Sequence, residues 1–296
     1  MNGVGAKTPV QSLKGQATWG WEIAVYLFLA GTGAGSYVAS TASGFLGSPP
    51  AAISIAGVVL GAPLVFLGML FLIIDLGVRR NAPRAFVNVR TSWMARGAWV
   101  IAAFTLLDAG QIASLIWGFG WPAVLGDVAV ALALATMFYT GFLLKACRSI
   151  PFWSTAILPL LFFFSASSTG VMAVVLTGAL GGSGAGSFVP LSQADEVLVF
   201  AEGAILAIFL LRGSRARAGE SVRMWLTGQM AAGFWGGVVV CGLVVPLLSD
   251  AYPAGIIAVG ASMSLGLAGG LVLRKIVLAA GTKSPIELSP LGFGGS

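Results

Sequence analysis

Residues 51–96 read AAISIAGVVLGAPLVFLGMLFLIIDLGVRRNAPRAFVNVRTSWMAR. From Ala51 to Ile74 no residue is charged; Asp75 then precedes Arg79, Arg80, Arg84, Arg90 and Arg96. A membrane-crossing helix needs about 20 predominantly apolar residues, and short loops rich in Lys and Arg stay in the cytoplasm during insertion. The stretch therefore reads as one crossing that runs into one cytoplasmic loop.

The same alternation holds throughout the sequence. Lys7 and Lys14 precede the first apolar run. Lys145 and Arg148 lie between the fourth and fifth, and Arg212, Arg215, Arg217 and Arg223 between the sixth and seventh. Arg274, Lys275 and Lys283 follow the last. All sixteen Lys and Arg residues fall on one side, which predicts cytoplasmic termini. Spans are expected near 19–46, 52–77, 96–117, 122–147, 153–180, 193–212, 225–248 and 254–279. The polar segment before Trp19 and the length of the run after it argue for a retained first span, not a cleaved signal.

Composition agrees. Hydrophobic residues make up 57% of the 296 and charged residues 9%, against roughly 25% charged in a soluble domain. In lipid every backbone N–H and C=O needs an internal partner, so the spans are helices and the fold class is all-α. A barrel would alternate apolar and polar residues, which this sequence does not. The net charge of +6 follows from topology and implies no nucleic acid. There is no His and there are two Cys, Cys147 and Cys241. An iron–sulfur cluster usually takes four Cys and b-type haem an axial His, so neither is expected within this chain, and no metal site is expected. Trp19, Trp21, Trp93, Trp117, Trp121, Trp153 and Trp225 fall near proposed span ends and suggest an aromatic belt. Gly31, Gly35 and Ala39 have the small-xxx-small spacing of close helix contacts.

Ionisable residues inside spans are costly and are functional candidates by default. Glu22 and Tyr26 are neighbours at i and i+4 near the cytoplasmic end of the first span. Asp75 closes the second span, Arg96 opens the third, and Tyr139 lies near the same end of the fourth. Four helices thus place polar groups in one layer. Each also has an ordinary reading: an interfacial carboxylate, an Asp75–Arg79 ion pair, a buried phenol bonded to a carbonyl. Asp108, Gln111 and Glu202 lie deeper, as a proton path or as structural hydrogen bonds. Ser165, Ser167, Ser168 and Thr169 read as structural polarity.

Several segments in order carry a resemblance. They are WGWEIAVYLFLAGTGAG at 19–35, FLIIDLG at 71–77 and TSWMARGAW at 91–99, then YTG at 139–141, IPFW at 150–153, LPLLF at 158–162 and the Ser-rich run ending Thr169–Gly170. Together they resemble the NrfD/PsrC family, quinone-reactive membrane subunits of polysulfide reductase-type complexes. The resemblance is strongest over residues 19–180; beyond that it rests on the number of spans.

The resemblance implies eight helices in two four-helix bundles. Here these would be 19–148 and 149–280, with a cytoplasmic N-terminal segment 1–18 and an extended tail 281–296. It implies a quinone, menaquinone or ubiquinone, bound in the first bundle, and no haem or cluster in this chain. A ferredoxin-like iron–sulfur subunit would dock beside the site, with a molybdenum, tungsten or other catalytic subunit beyond it. The setting would be a bacterial or archaeal cell membrane. Tyr26 and Tyr139 would face the quinone, with Gly31 and Arg96 nearby. A family member carries His at the position of Tyr26. Tyr26 donates a hydrogen bond but does not accept a proton near neutral pH, so Glu22 and Asp75 are expected to exchange protons. A redox-coupled proton translocator, using Asp108, Gln111 and Glu202, and a small-solute carrier or channel are the competing readings.

Overall fold

The structure, a computed structural model, describes residues 20–46, 50–75, 93–147, 150, 152–182, 185–215, 219–251 and 255–282. The basic loop after Asp75, the N-terminal segment and the tail lie outside them, as does the side chain of Asp75. The regular elements described are all helical: α1 Trp21–Ser43, α2 Ala51–Asp75, α3 Trp93–Trp117, α4 Ala123–Lys145 and α5 Ile157–Leu180. A 3-10 turn Ala185–Phe188 then leads into α6 Val189–Arg215, the short α7 Gly219–Leu226, a π-helix Gly233–Val244 continuing as α8 Val245–Ala251, and α9 Ile256–Thr282.

Hydroxyls in these helices are mostly satisfied within them. Thr41 donates to the Tyr37 carbonyl at 2.9 Å, Thr105 to Ile101 at 2.8 Å, Thr136 to Leu132 at 2.9 Å and Ser167 to Phe163 at 2.9 Å. This back-bonding lets a polar side chain enter lipid at little cost. Gly118, with φ +70°, caps α3, its N–H returning to the Ser114 carbonyl at 2.9 Å.

Six described helices are long and apolar enough to cross a membrane: α1 to α5 and α9. α6 is long, at 27 residues, but Asp195, Glu196, Glu202, Arg212 and Arg215 dilute its apolar character. The expected single span 225–248 is corrected by the structure. α7 ends at Leu226, a turn follows, and the backbone resumes as the π-helix and α8. Gly228, Gly233, Gly236 and Gly237 weaken an α-helix here. Pro246 also lacks the N–H that an α-helix would direct to Gly242.

α1 lies at the centre. Its most apolar stretch is 78% buried, against 22% for α3. Glycines on its two sides make this possible. Gly33 faces Gly61, Leu64 and Val65 of α2, whereas Gly35 meets Ala166 and Gly170 of α5 so closely that any Cβ would strike backbone. The helices expected to open the two bundles are thus packed on each other.

Two tryptophans expected in an interfacial belt belong to the core. Trp153 and Trp225 are fully buried. Trp153 donates to the Val277 carbonyl at 2.9 Å, and Trp225 packs among Phe152, Phe209 and Phe234. Trp21, Trp93 and Trp117 are exposed, as a belt requires.

Candidate functional site

The start of α1, the start of α3 and the end of α4 share one face of the molecule. Gly97 is the key small residue there: the ring of Tyr139 occupies the space its Cβ would take. The Tyr139 hydroxyl donates to the Met94 carbonyl at 3.4 Å, a long and weak bond. Tyr26 is fully buried on α1 and lies within electrostatic reach of Tyr139. Glu22, one turn before Tyr26, is half-buried. Tyr26 and Tyr139 thus lie near each other between α1 and α4, with Glu22 one turn nearer the start of α1.

Beside them Trp93 and Phe142 lie nearly parallel, at 11°, with ring centroids 5.9 Å apart. The guanidinium of Arg96 stands 5.1 Å from the Trp93 ring, and the ammonium of Lys145 5.6 Å from that of Phe142. A cavity of about 440 Å³ is lined by Trp93, Phe142, Lys145 and Ala146. Its walls are aromatic and its rim is basic, a pairing suited to a flat, weakly polar ring.

Gly31 does not serve that cavity. A Cβ there would meet Ala166 at 3.1 Å and the guanidinium of Arg274 at 3.7 Å, so its role is helix packing. Asp75 ends α2, and its side chain lies outside the described residues. Asp108 is fully buried and accepts from the Ala62 N–H at 2.5 Å, beside the Pro63 interruption of α2. Its other oxygen has no hydrogen-bond partner among the described residues. Gln111, one turn on, accepts from Tyr37 at 2.7 Å.

Glu202 is elsewhere, in a second cluster. It is buried on α6, receives the Ser165 hydroxyl and feels the charge of Arg274. The sequence places Arg274 after the last span, among the cations that set topology; the structure corrects this. Arg274 is 1% exposed inside α9. It donates to Ser165 Oγ at 2.5 Å and to the Gly270 carbonyl at 2.9 Å, between the rings of Phe28 and Phe162. The adjacent Lys275 disguises it as a flanking charge. The usable signal was Gly270, four residues earlier, where the absent side chain leaves room for a guanidinium. Asp195, also fully buried, accepts from Ser168 at 2.8 Å. Its neighbours Ser192, Gln193 and Glu196 make the segment look interfacial.

These features define a multi-pass helical membrane protein with a polar, aromatic-walled cavity at one end and a buried charged cluster. The family described as polysulphide reductase, NrfD, matches residues 9–285, and the protein belongs to it. The C subunit of polysulfide reductase from Wolinella succinogenes is 31% identical over 299 residues, covering 89% of this sequence and 94% of its own. Protein NrfD of Escherichia coli (strain K12) is 29% identical over 306 residues, with the same coverage of 89% and 94%. A protein NrfD homolog of Haemophilus influenzae is 29% identical over 119 residues, or 38% of this sequence and 37% of its own. Membership in this family of membrane subunits of oxidoreductase complexes agrees with the resemblance drawn from residues 19–180.

Proposed function

We propose that this protein is the quinone-binding, membrane-anchoring subunit of a multi-subunit oxidoreductase. In this reading it crosses a prokaryotic cell membrane eight times, with α6 and the composite helix ending in α8 completing the six strongly apolar crossings. The observation that carries the reading is the cavity of about 440 Å³ lined by Trp93, Phe142, Lys145 and Ala146, less than one turn along α4 from Tyr139. That volume lies in the usual range for a small-molecule pocket, about 300–1,000 Å³.

The residues present fit a quinone. Trp93 and Phe142 offer ring faces, and Arg96 and Lys145 give the cavity a positive rim. Tyr139 gives up little by exchanging its 3.4 Å bond to Met94 for a bond to a ligand carbonyl. A phenol O–H aimed at an oxygen that gains negative charge on reduction favours the reduced state. Glu22 is half-buried in the first turn of α1, and in this reading it trades protons with water. The quinone, menaquinone or ubiquinone, supplies two-electron carrier chemistry when bound.

Electrons would be exchanged with a ferredoxin-like iron–sulfur subunit docked on the basic face, with a molybdenum, tungsten or other catalytic subunit beyond it. Kinship supports assembly into a complex: the Wolinella relative is named as one component of a reductase. Mild-detergent purification is expected to bring down a cysteine-rich partner. Tyr139→Phe is expected to slow quinone turnover about tenfold or more, while dye-linked turnover by the soluble partners stays unchanged. Unchanged quinone turnover would move the site elsewhere.

A further inference from the structure

A neutral ring accounts for the aromatic walls of the cavity at the basic end, but not for two full charges on its rim. The ammonium of Lys145 stands 5.6 Å from the Phe142 ring and the guanidinium of Arg96 5.1 Å from the Trp93 ring, and the two rings lie 5.9 Å apart. An aromatic face under a long cationic side chain holds its charge in one place. Trp93 and Arg96 are exposed in the first turn of α3, and Lys145 is half-buried in the last turn of α4. Indoles and cations at helix ends stand at the level of a bilayer's headgroups. The rim thus offers paired positive charge to an anion at that depth.

Two of the cavity's lining residues, Ala146 and Phe142, begin a stripe that continues through Phe138, Ala135 and Ala131. Steps of three and four residues put all five on one side of α4, and each is exposed or half-buried. α3 walls one edge of the stripe, with Gly97 against Tyr139 and Trp93 against Phe142. α5 walls the other, with Phe163 stacked on Phe138 at 4.2 Å and Pro159 against Gly141. Between the walls Ala135 and Ala131 leave a shallow trough, because a methyl group reaches less far than the rings that precede it. From Phe142 to Ala131 the helix rises about 16 Å, close to the depth of one leaflet, about 15 Å. A trough of that length fits an acyl chain and exceeds what a soluble anion needs.

We propose that this end of the molecule binds one anionic diacyl phospholipid, its phosphate between Lys145 and Arg96 and one acyl chain along the α4 trough. Charge selects the class. A phosphodiester whose headgroup carries no amine keeps its negative charge, as in phosphatidylglycerol or cardiolipin. A choline or ethanolamine headgroup cancels it. One Lys or Arg beside an anionic lipid surface contributes about fivefold to binding, so the pair gives a preference of roughly thirtyfold over a zwitterionic lipid. The phosphate occupies the rim, and the faces of Trp93 and Phe142 behind it stay open to a ring.

The binding needs no quinone, so quinone-free full-length protein tests it, and its failure would leave the quinone reading standing. Native mass spectrometry compares retention of phosphatidylglycerol and phosphatidylcholine of equal chain length. Wild type is expected to retain one phosphatidylglycerol with roughly thirtyfold preference. Lys145→Gln is expected to lower that preference about fivefold, and Lys145→Gln/Arg96→Gln to abolish it. Lys145→Arg keeps the charge and is expected to preserve it. So is Arg223→Gln, which removes an exposed cation from α7, a helix packed on α6 and α9. Ala135→Phe fills the trough, touches no charge, and is expected to lower retention of phosphatidylglycerol severalfold. Should a glutamine variant fail to fold, the wild-type comparison and Ala135→Phe decide. Equal retention of the two lipids, an unchanged preference in folded Lys145→Gln, or unchanged retention in Ala135→Phe would overturn the site.

Discussion

The tyrosine end and the Arg274 cluster solve opposite problems with the same few residue types. At the tyrosine end the buried polar groups are neutral phenols, and the cations stand on the rim over Trp93 and Phe142. A cavity of about 440 Å³ remains beside them. In the Arg274 cluster the guanidinium and the Glu202 carboxyl are both buried, the space beside Glu202 is about 10 Å³, and one hydroxyl, that of Ser165, bonds both partners. Neutral donors tolerate an opening toward lipid because they carry no charge to be stranded there. A guanidinium and a carboxyl deep in the bilayer need enclosure and mutual contact. The contrast separates a place where something binds from a place where charge is kept.

The contrast is most exposed at Arg274. Arg274→Met strands the Glu202 carboxyl and is expected to cost about 3–5 kcal/mol, read as a lowered melting temperature in detergent. The double variant Arg274→Met/Glu202→Met is expected to recover most of that loss. If the single variant melts like wild type, the charges are not coupled. Next comes the seam between the regions. Gly170→Ala drives a Cβ into the backbone of Gly35 and is expected to cost about 1–3 kcal/mol, with both regions disturbed together.

At the tyrosine end the expected effects are functional. Gly97→Ala displaces the Tyr139 ring. It is expected to lower quinone turnover by at least as much as Tyr139→Phe, while Glu202→Gln leaves the dye-linked activity of the partners intact. The smallest effect is expected for Asp108→Asn. Among the described residues Asp108 has one hydrogen bond, from Ala62, and an amide oxygen replaces that acceptor, so the change should stay at about 1 kcal/mol or less. A large loss on melting would show that Asp108 carries a charge that the deeper helices depend on.

Much of the fold is legible in the sequence. Unbroken apolar runs such as 51–74 announce membrane helices, because lipid leaves the backbone no other way to be satisfied. Glu22, Tyr26 and Tyr139 can be placed at one level by counting helix directions. Arg274 cannot, because a cation near a span end looks the same in sequence whether it turns to water or inward. The break at 227–230 is hidden too, since only Thr227 and Gln229 interrupt an otherwise apolar and glycine-rich run. Trp153 and Trp225 mislead for a similar reason: an indole near a helix end suits an interface and a core equally well.

Sequence alone settled that the protein is helical and crosses a membrane, and it pointed to the family, since local polarity and ordered motifs need no knowledge of neighbours. Tertiary structure decided which polar groups face one another. It set Tyr139 on Gly97, Gly31 against Arg274, and Ser165 between Glu202 and the guanidinium. Those pairings depend on how helices distant in sequence rotate about their axes, and that rotation is fixed by small residues such as Gly35 and Gly170 meeting across the bundle.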